Sequence, residues 1–212
     1  VTAAEHVCGL RGSRTKRLLD VLVGSSLLLV AMVPLSIAVV LVAVRLGRPV
    51  LFRQERLGEH GVPFTMLKLR TMHHPDPAHG LVTDADRLTR LGRFLRASSL
   101  DELPSLVNVL RGEMSLVGPR PLPTTYRERF TSTEHRRHEV RPGLTGLAQV
   151  HGRNALGWED RFRLDIEYVD RQSVLLDLRI LARTAVVVAT ARGVRAADCA
   201  TMHELRPEAS VR

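Results

Sequence analysis

Hydrophobic and polar positions divide this chain into one long apolar run and a series of short periodic segments. From Val21 to Val44, twenty-four consecutive residues carry no charge and most are aliphatic. Drawn as a helix the run is about 36 Å long, enough for a hydrocarbon layer of roughly 30 Å. After Gly47 the pattern becomes that of a water-soluble domain. Val50–Arg56 and Phe64–Arg70 read as short strands, joined through Gly58 and Gly61 as a hairpin. Asp84–Ala97 reads as an amphipathic helix, with Leu88, Leu91 and Leu95 on one face and Arg87, Arg90, Arg93 and Arg96 recurring every third residue. Leu103–Leu110 is expected to be helical and to end at Gly112; Trp158–Arg171 and Ser173–Arg192 form two further helices. His73–Gly80 is a loop, and Gly118–Pro123 and Arg141–Gly146 are stiff connectors rich in Pro and Gly. The expected fold is α+β: a membrane-embedded N-terminal helix, then a small, mostly helical domain carrying a short β-hairpin. Its divisions are a flexible segment over 1–14, the membrane element over 15–47, the soluble domain over 48–195 and a loose tail over 196–212.

Two features bear on how the apolar run meets a membrane. Pro34 lies inside it, removing one backbone donor and crowding the carbonyl of Val30. Arg11, Arg14, Lys16 and Arg17 before the run are balanced by Arg45, Arg48, Arg53 and Arg56 after it. A single crossing should bias basic residues to one side, and four against four gives no bias. The sequence therefore favours a re-entrant helical hairpin, broken at Pro34, over a single span. The run is also longer than the apolar core of a cleaved secretory signal.

The formal net charge is +9, from 31 Lys and Arg against 22 Asp and Glu. Such an excess suits an anionic partner: phosphate, nucleic acid or a lipid surface. Only eight residues are aromatic, which argues against a platform for stacking unpaired bases. Cys8 and Cys199 form neither a disulfide scaffold nor a zinc pattern, and His135 and His138 at i, i+3 have no accompanying third ligand. Neither GxGxxG nor GxxxxGK[ST] occurs.

The pair Asp101-Glu102 can be read in two ways. Ser99 with Glu102 three residues on matches a helix capping box. Pro104 opposes that account, because proline suits the first helical position and not the fifth; a helix starting near Pro104 would display both carboxylates on the turn before it. Basic residues surround the pair in sequence. Lys68 and Arg70, two apart on a strand, should share a face. Arg96 precedes the acids, Arg120 is clamped between Pro119 and Pro121, Arg141 precedes Pro142-Gly143, and Arg153 lies in Gly152-Arg153-Asn154. Guanidinium groups on stiff loops suit a diphosphate, and an adjacent carboxylate pair suits Mg²⁺ shared with phosphates.

Several strings together resemble the bacterial sugar transferases, small monotopic phosphoglycosyl transferases acting on polyprenol phosphate. They are Lys16-Arg17…Asp20, the proline-broken run, Phe52-Arg53-Gln54-Glu55-Arg56-Leu57-Gly58, Lys68-Leu69-Arg70-Thr71-Met72, and Leu91-Gly92-Arg93-Phe94-Leu95-Arg96. Ser99-Leu100-Asp101-Glu102-Leu103-Pro104, Met114 to Pro121, Arg141 to Val150, Gly152-Arg153-Asn154 and Asp165…Tyr168-Val169 continue the match. The resemblance implies transfer of a sugar-1-phosphate from a nucleotide sugar, expected to be a UDP-sugar, to a lipid such as undecaprenyl phosphate, initiating membrane glycan or exopolysaccharide assembly. It implies that Asp101 is the nucleophile, forming a covalent phosphosugar intermediate, and that Glu102 helps place Mg²⁺ or the acceptor. Lys68, Arg70, Arg96, Arg120 and Arg153 then hold phosphates or shape the site. The catalytic domain is expected on the cytoplasmic face of the inner membrane, with no nucleic-acid partner and a homo-oligomer left open. The chain departs from the family in having Val33 before Pro34, where serine is common, and Val62 where lysine is usual. The competing reading is a membrane-tethered, basic nucleic-acid-binding or regulatory protein. It accounts for the charge but gives Arg120 and the acid pair no role.

Overall fold

The computed structural model describes residues 14–152, 156–189 and 205. Helix α1 (Arg14–Leu46) leads into an antiparallel hairpin of β1 (Leu51–Leu57) and β2 (Pro63–Leu69), in register from Leu51 opposite Leu69 to Leu57 opposite Pro63. Short helices α2 (Asp84–Arg87) and α3 (Arg90–Ala97) follow, then a 3₁₀ segment, Leu100–Ser105, running into α4 (Leu106–Arg111). Next come β3 (Ser115–Val117), α5 (Ser132–His135), β4 (Gly143–Thr145), α6 (Leu147–His151), α7 (Trp158–Arg171) and α8 (Val174–Ala189). The architecture is α+β, as the periodicities imply. The expected flexible segment before Arg14 and all but Leu205 of the expected tail lie outside the described residues.

Two local expectations are corrected. The segment 84–97 is two helices, because Thr89 acts as a second N-cap: its hydroxyl accepts from the Gly92 amide at 2.9 Å, and Leu88 before it is extended. Gly92 is required by close approach, since a Cβ there would stand 1.9 Å from the Thr71 carbonyl oxygen. The connectors 118–123 and 141–146 conceal a parallel pair, β3 with β4. Gly118 and Gly143 let those backbones meet, a Cβ on Gly143 falling 2.1 Å from the Gly118 nitrogen.

The main core lies between the hairpin, α4, β3, α7 and α8, with Leu106, Val109, Met114, Tyr168 and Ile180 almost wholly buried. A second cluster gathers Leu57, Leu122, Tyr126, Phe130 and Phe162. In the third, Ala38 and Val42 of α1 pack on Leu69 and Leu95.

Helix α1 runs through Pro34 as one continuous element, so the expected two-limbed hairpin is not drawn as two helices separated by a turn. A proline removes one intrahelical bond and need not end the helix. Its middle faces outward: Val30 is 78% exposed and Val33 67%, which excludes a buried core helix. Both ends nevertheless pack on the same domain. At the N-terminal end, Lys16 Nζ donates to Asp177 Oδ2 (2.6 Å), the Val117 carbonyl (3.1 Å) and the Tyr168 hydroxyl (3.2 Å). Asp20 Oδ1 accepts from the Ser115 hydroxyl and the Leu116 amide, both at 3.0 Å. Arg17 donates to the carbonyls of Val109 and Leu110 at the end of α4, where helix carbonyls lack partners.

Candidate active site

The acid pair is presented by an abrupt change of direction after α3. Ser99 adopts a left-handed conformation (φ 59°) and makes no side-chain cap, which removes the capping-box account. Asp101 and Glu102 instead occupy the 3₁₀ turn that enters α4, with Pro104 inside that turn. The α-helix begins at Leu106, three residues after the expected start at Leu103.

The two carboxylates have different surroundings. Glu102 Oε1 accepts from Lys68 Nζ at 2.7 Å and from Arg120 Nη2 at 2.6 Å, while Arg120 Nη1 reaches Oε2 at 3.4 Å. Asp101 is 8% exposed, and among the described residues no hydrogen-bond donor engages it. Burial, and after it the neighbouring Glu102 charge, push the Asp101 carboxyl up to about 6, against the pull of Lys68, Arg96 and Arg120. Glu102 is also penalised by burial, but Arg120 and Lys68 outweigh that and hold it well below the usual carboxylate range. One acid is thus a fixed anion bound to cations. The other is a poised carboxylate whose oxygens remain available.

Cations surround this pair. Lys68 reaches it from β2, and Arg120 from the loop after β3. Arg137 donates to the Arg120 carbonyl at 2.8 Å and is itself paired with buried Asp165 at 2.7 Å. The Pro119–Pro121 segment is therefore held from behind. Arg96 lies close enough to Asp101 to stabilise its charge, and its Nε donates to Thr71 Oγ1 at 3.0 Å. Two further arginines belong to the cluster although the sequence reading did not select them. Arg56 donates to the Pro121 carbonyl (3.2 Å) and to Gln54 Oε1 (2.6 Å). Arg161 is 4% exposed. Burial, and then repulsion from Arg120, lower each guanidinium to about 10. Only the position of Arg56 within Phe52–Gly58 hinted at this; Arg161 sits on a helix with no local signal.

Other expected members are placed elsewhere. Arg70 lies just past the end of β2 and does not share the Lys68 site. Its guanidinium donates to the Leu46 and Gly47 carbonyls, the latter at 2.6 Å, closing the C-terminal end of α1. Unpaired carbonyls at a helix end carry partial negative charge and draw such a group. Arg141 is paired with Glu59 at 3.3 Å. Arg153 lies outside the described residues. His135 and His138 pack against the Phe130 ring.

No group of three or more His, Cys, Asp or Glu able to cage a metal occurs among the described residues. Asp101 with one or two phosphate oxygens is a donor set that fits Mg²⁺, which is commonly held by one or two carboxylates plus substrate phosphates. A cavity of about 330 Å³ lies apart from the acids, lined by Leu57, His60, Gly61, Arg127, His135, His138 and Glu139. It contains neither carboxylate, and the charge arrangement marks the chemistry instead.

The sequence profile described as bacterial sugar transferase matches residues 11–191. The uncharacterized sugar transferase EpsL of Bacillus subtilis (strain 168) is 47% identical over 181 residues, covering 85% of this chain and 90% of that protein. A UDP-glucose:undecaprenyl-phosphate glucose-1-phosphate transferase of Caulobacter vibrioides is 48% identical, over 80% of this chain and 67% of its own length. The exopolysaccharide production protein ExoY of Sinorhizobium fredii is 38% identical, over 86% and 88% respectively. Other relatives are longer, and this chain spans about two fifths of the Klebsiella pneumoniae transferase it matches.

Proposed function

Since this chain belongs to the bacterial sugar transferase family, we propose that it transfers a sugar-1-phosphate from a UDP-sugar to a polyprenol phosphate such as undecaprenyl phosphate, in two displacements at one phosphorus. The observation that carries this reading is the unequal acid pair: Glu102 is occupied by Lys68 and Arg120, and Asp101 is not. In the first displacement an Asp101 oxygen attacks the phosphorus bearing the sugar. The bond from that phosphorus to the bridging oxygen breaks, and UMP leaves with the electron pair. In the second, a phosphate oxygen of the lipid attacks the same phosphorus and Asp101 regains its carboxylate.

Lys68 and Arg120 offset the negative charge that would otherwise keep a carboxylate from a diphosphate. Arg96 supports the ionised form of Asp101. Asp101, with the donor phosphates, would hold Mg²⁺, and the ion would add to the neutralisation of the diphosphate. Glu102 keeps both cations in place and orients them.

The anchoring of α1 supports a re-entrant arrangement. Lys16 and Asp20 at one end and Ala38 and Val42 at the other pack on one domain, while Val30 and Val33 face outward between them. An end hydrogen-bonded into the soluble domain belongs on that domain's side of the bilayer. We place the domain on the cytoplasmic face of the inner membrane, where nucleotide sugars are available, in the initiating step of glycan or exopolysaccharide assembly. The nucleic-acid reading gains no support, since the cations converge on an acid pair that would repel a phosphodiester backbone. A panel of UDP-sugars, scored for UMP release that depends on undecaprenyl phosphate and Mg²⁺, tests the proposal; no release from any donor would reject it.

A further inference from the structure

We propose that Ser105 and Asn108 are positioning residues that act as the missing third strand beside β2 and thereby fix Lys68 against the acid pair. One edge of β2 is bonded to β1; on the other, the Thr65 carbonyl and the Leu67 amide and carbonyl point away from the hairpin. Among the described residues no backbone strand meets them. Asn108 Oδ1 accepts from the Leu67 amide at 3.1 Å, and its Nδ2 donates to the Thr65 carbonyl at 2.8 Å. A carboxamide thus supplies the acceptor and donor that a neighbouring strand would supply. Ser105 Oγ donates to the Leu67 carbonyl at 2.6 Å, and Glu113 Oε2, 2.6 Å from Asn108 Nδ2, sets which way the amide faces. Both residues are completely buried.

The consequence lies one residue further along β2, and three to four residues before Ser105 on the other segment. Lys68 follows Leu67, and Ser105 and Asn108 belong to the same continuous turn and helix as Asp101 and Glu102. Three side-chain bonds therefore tie the strand carrying the cation directly to the segment carrying the acids. Buried polar groups left without partners are costly, so this joint has one satisfied register. Its bearing on catalysis rests on the reading of Asp101 as nucleophile; the joint itself does not.

Ser105→Ala removes one oxygen from the joint and keeps the Asn108 bonds to Thr65 and Leu67 in place as its remaining support. Two measurements on the full chain in detergent test the proposal. Labelling of Lys68 by an amine-reactive reagent, followed by mass spectrometry, is expected to accelerate at least threefold as the Lys68–Glu102 pairing loosens. In the UMP-release assay, kcat should fall about tenfold with the donor KM within twofold. Asn108→Asp, which loses both donated bonds and faces Glu113, should give a larger effect in the same direction. Unchanged Lys68 labelling in Ser105→Ala, or a lower melting temperature with kcat unmoved, would overturn the proposal. Faster labelling in a protein that cleaves no UDP-sugar would uphold the joint and reject the enzymatic reading instead.

Discussion

Arg120 and Glu102 form a two-point contact, with Nη2 to Oε1 at 2.6 Å and Nη1 to Oε2 at 3.4 Å, in a region where both groups are partly buried. The same carboxylate oxygen also holds Lys68, so Glu102 is the hub on which the phosphate-facing cations turn. Replacing Arg120 by Ala removes a preorganised cation and leaves Glu102 with Lys68 alone. We expect kcat to fall by roughly 10²–10³-fold. Arg120→Lys should recover little, because an ammonium cannot reproduce the planar contact. Steady-state UMP release by the purified variants checks both expectations.

Asp101 should report a conflict between stability and activity. Its folded pKa, about 6, is above the ordinary value, so the folded state holds a proton that the unfolded chain has already lost. Stability then falls as pH rises from about 4 to about 6, and the loss is complete above that range. Asp101→Asn removes this penalty. The variant should be inactive, yet at pH 7.5 more stable than the parent by about 1–2 kcal/mol, with the gain vanishing near pH 4. Denaturant unfolding of parent and variant at the two pH values provides the comparison.

The same raised value sets the pH dependence of the reaction. A carboxylate must be ionised to attack, so kcat/KM should rise with pH through an acid limb near 6 and level off above it. Glu102 remains ionised across this range and contributes no limb. Lys68→Met removes a cation that favours ionised Asp101 and should move the limb upward. A limb that stayed in place would show that Lys68 does not act on Asp101.

How far this site was legible in the sequence depended on whether its signals were local. The acid pair, Lys68 and Arg120 could be picked out because each lies in a short string with unusual neighbours. The hairpin was visible from alternation and its two glycines, one residue out at either end. Arg56 and Arg161 were missed because only tertiary packing brings them to Arg120. Arg70 was misplaced for a related reason: two-residue spacing predicts a shared face only within a strand, and β2 ends at Leu69. The β3–β4 pair was hidden because three-residue parallel strands in Pro- and Gly-rich segments carry no readable period.

Helix α1 makes a prediction about sidedness. With Cys8 and Cys199 replaced by Ser, single cysteines at Arg14 and Arg90 would mark the start of α1 and the surface of α3. Both should react with a membrane-impermeant thiol reagent in inside-out vesicles, and neither in right-side-out vesicles. Reaction of the two positions on opposite faces would establish a crossing helix.

The central claim is that Asp101 carries the sugar phosphate between donor and lipid. It is tested most directly by mixing the protein with a UDP-sugar labelled in the phosphate next to the sugar, in Mg²⁺ and without lipid, then quenching in denaturant. The account predicts label on the peptide containing Asp101, none in Asp101→Asn, and discharge onto undecaprenyl phosphate when the lipid is added before the quench. Lipid-dependent turnover of the same donor with no labelled peptide at any time, and activity retained in Asp101→Asn, would contradict it.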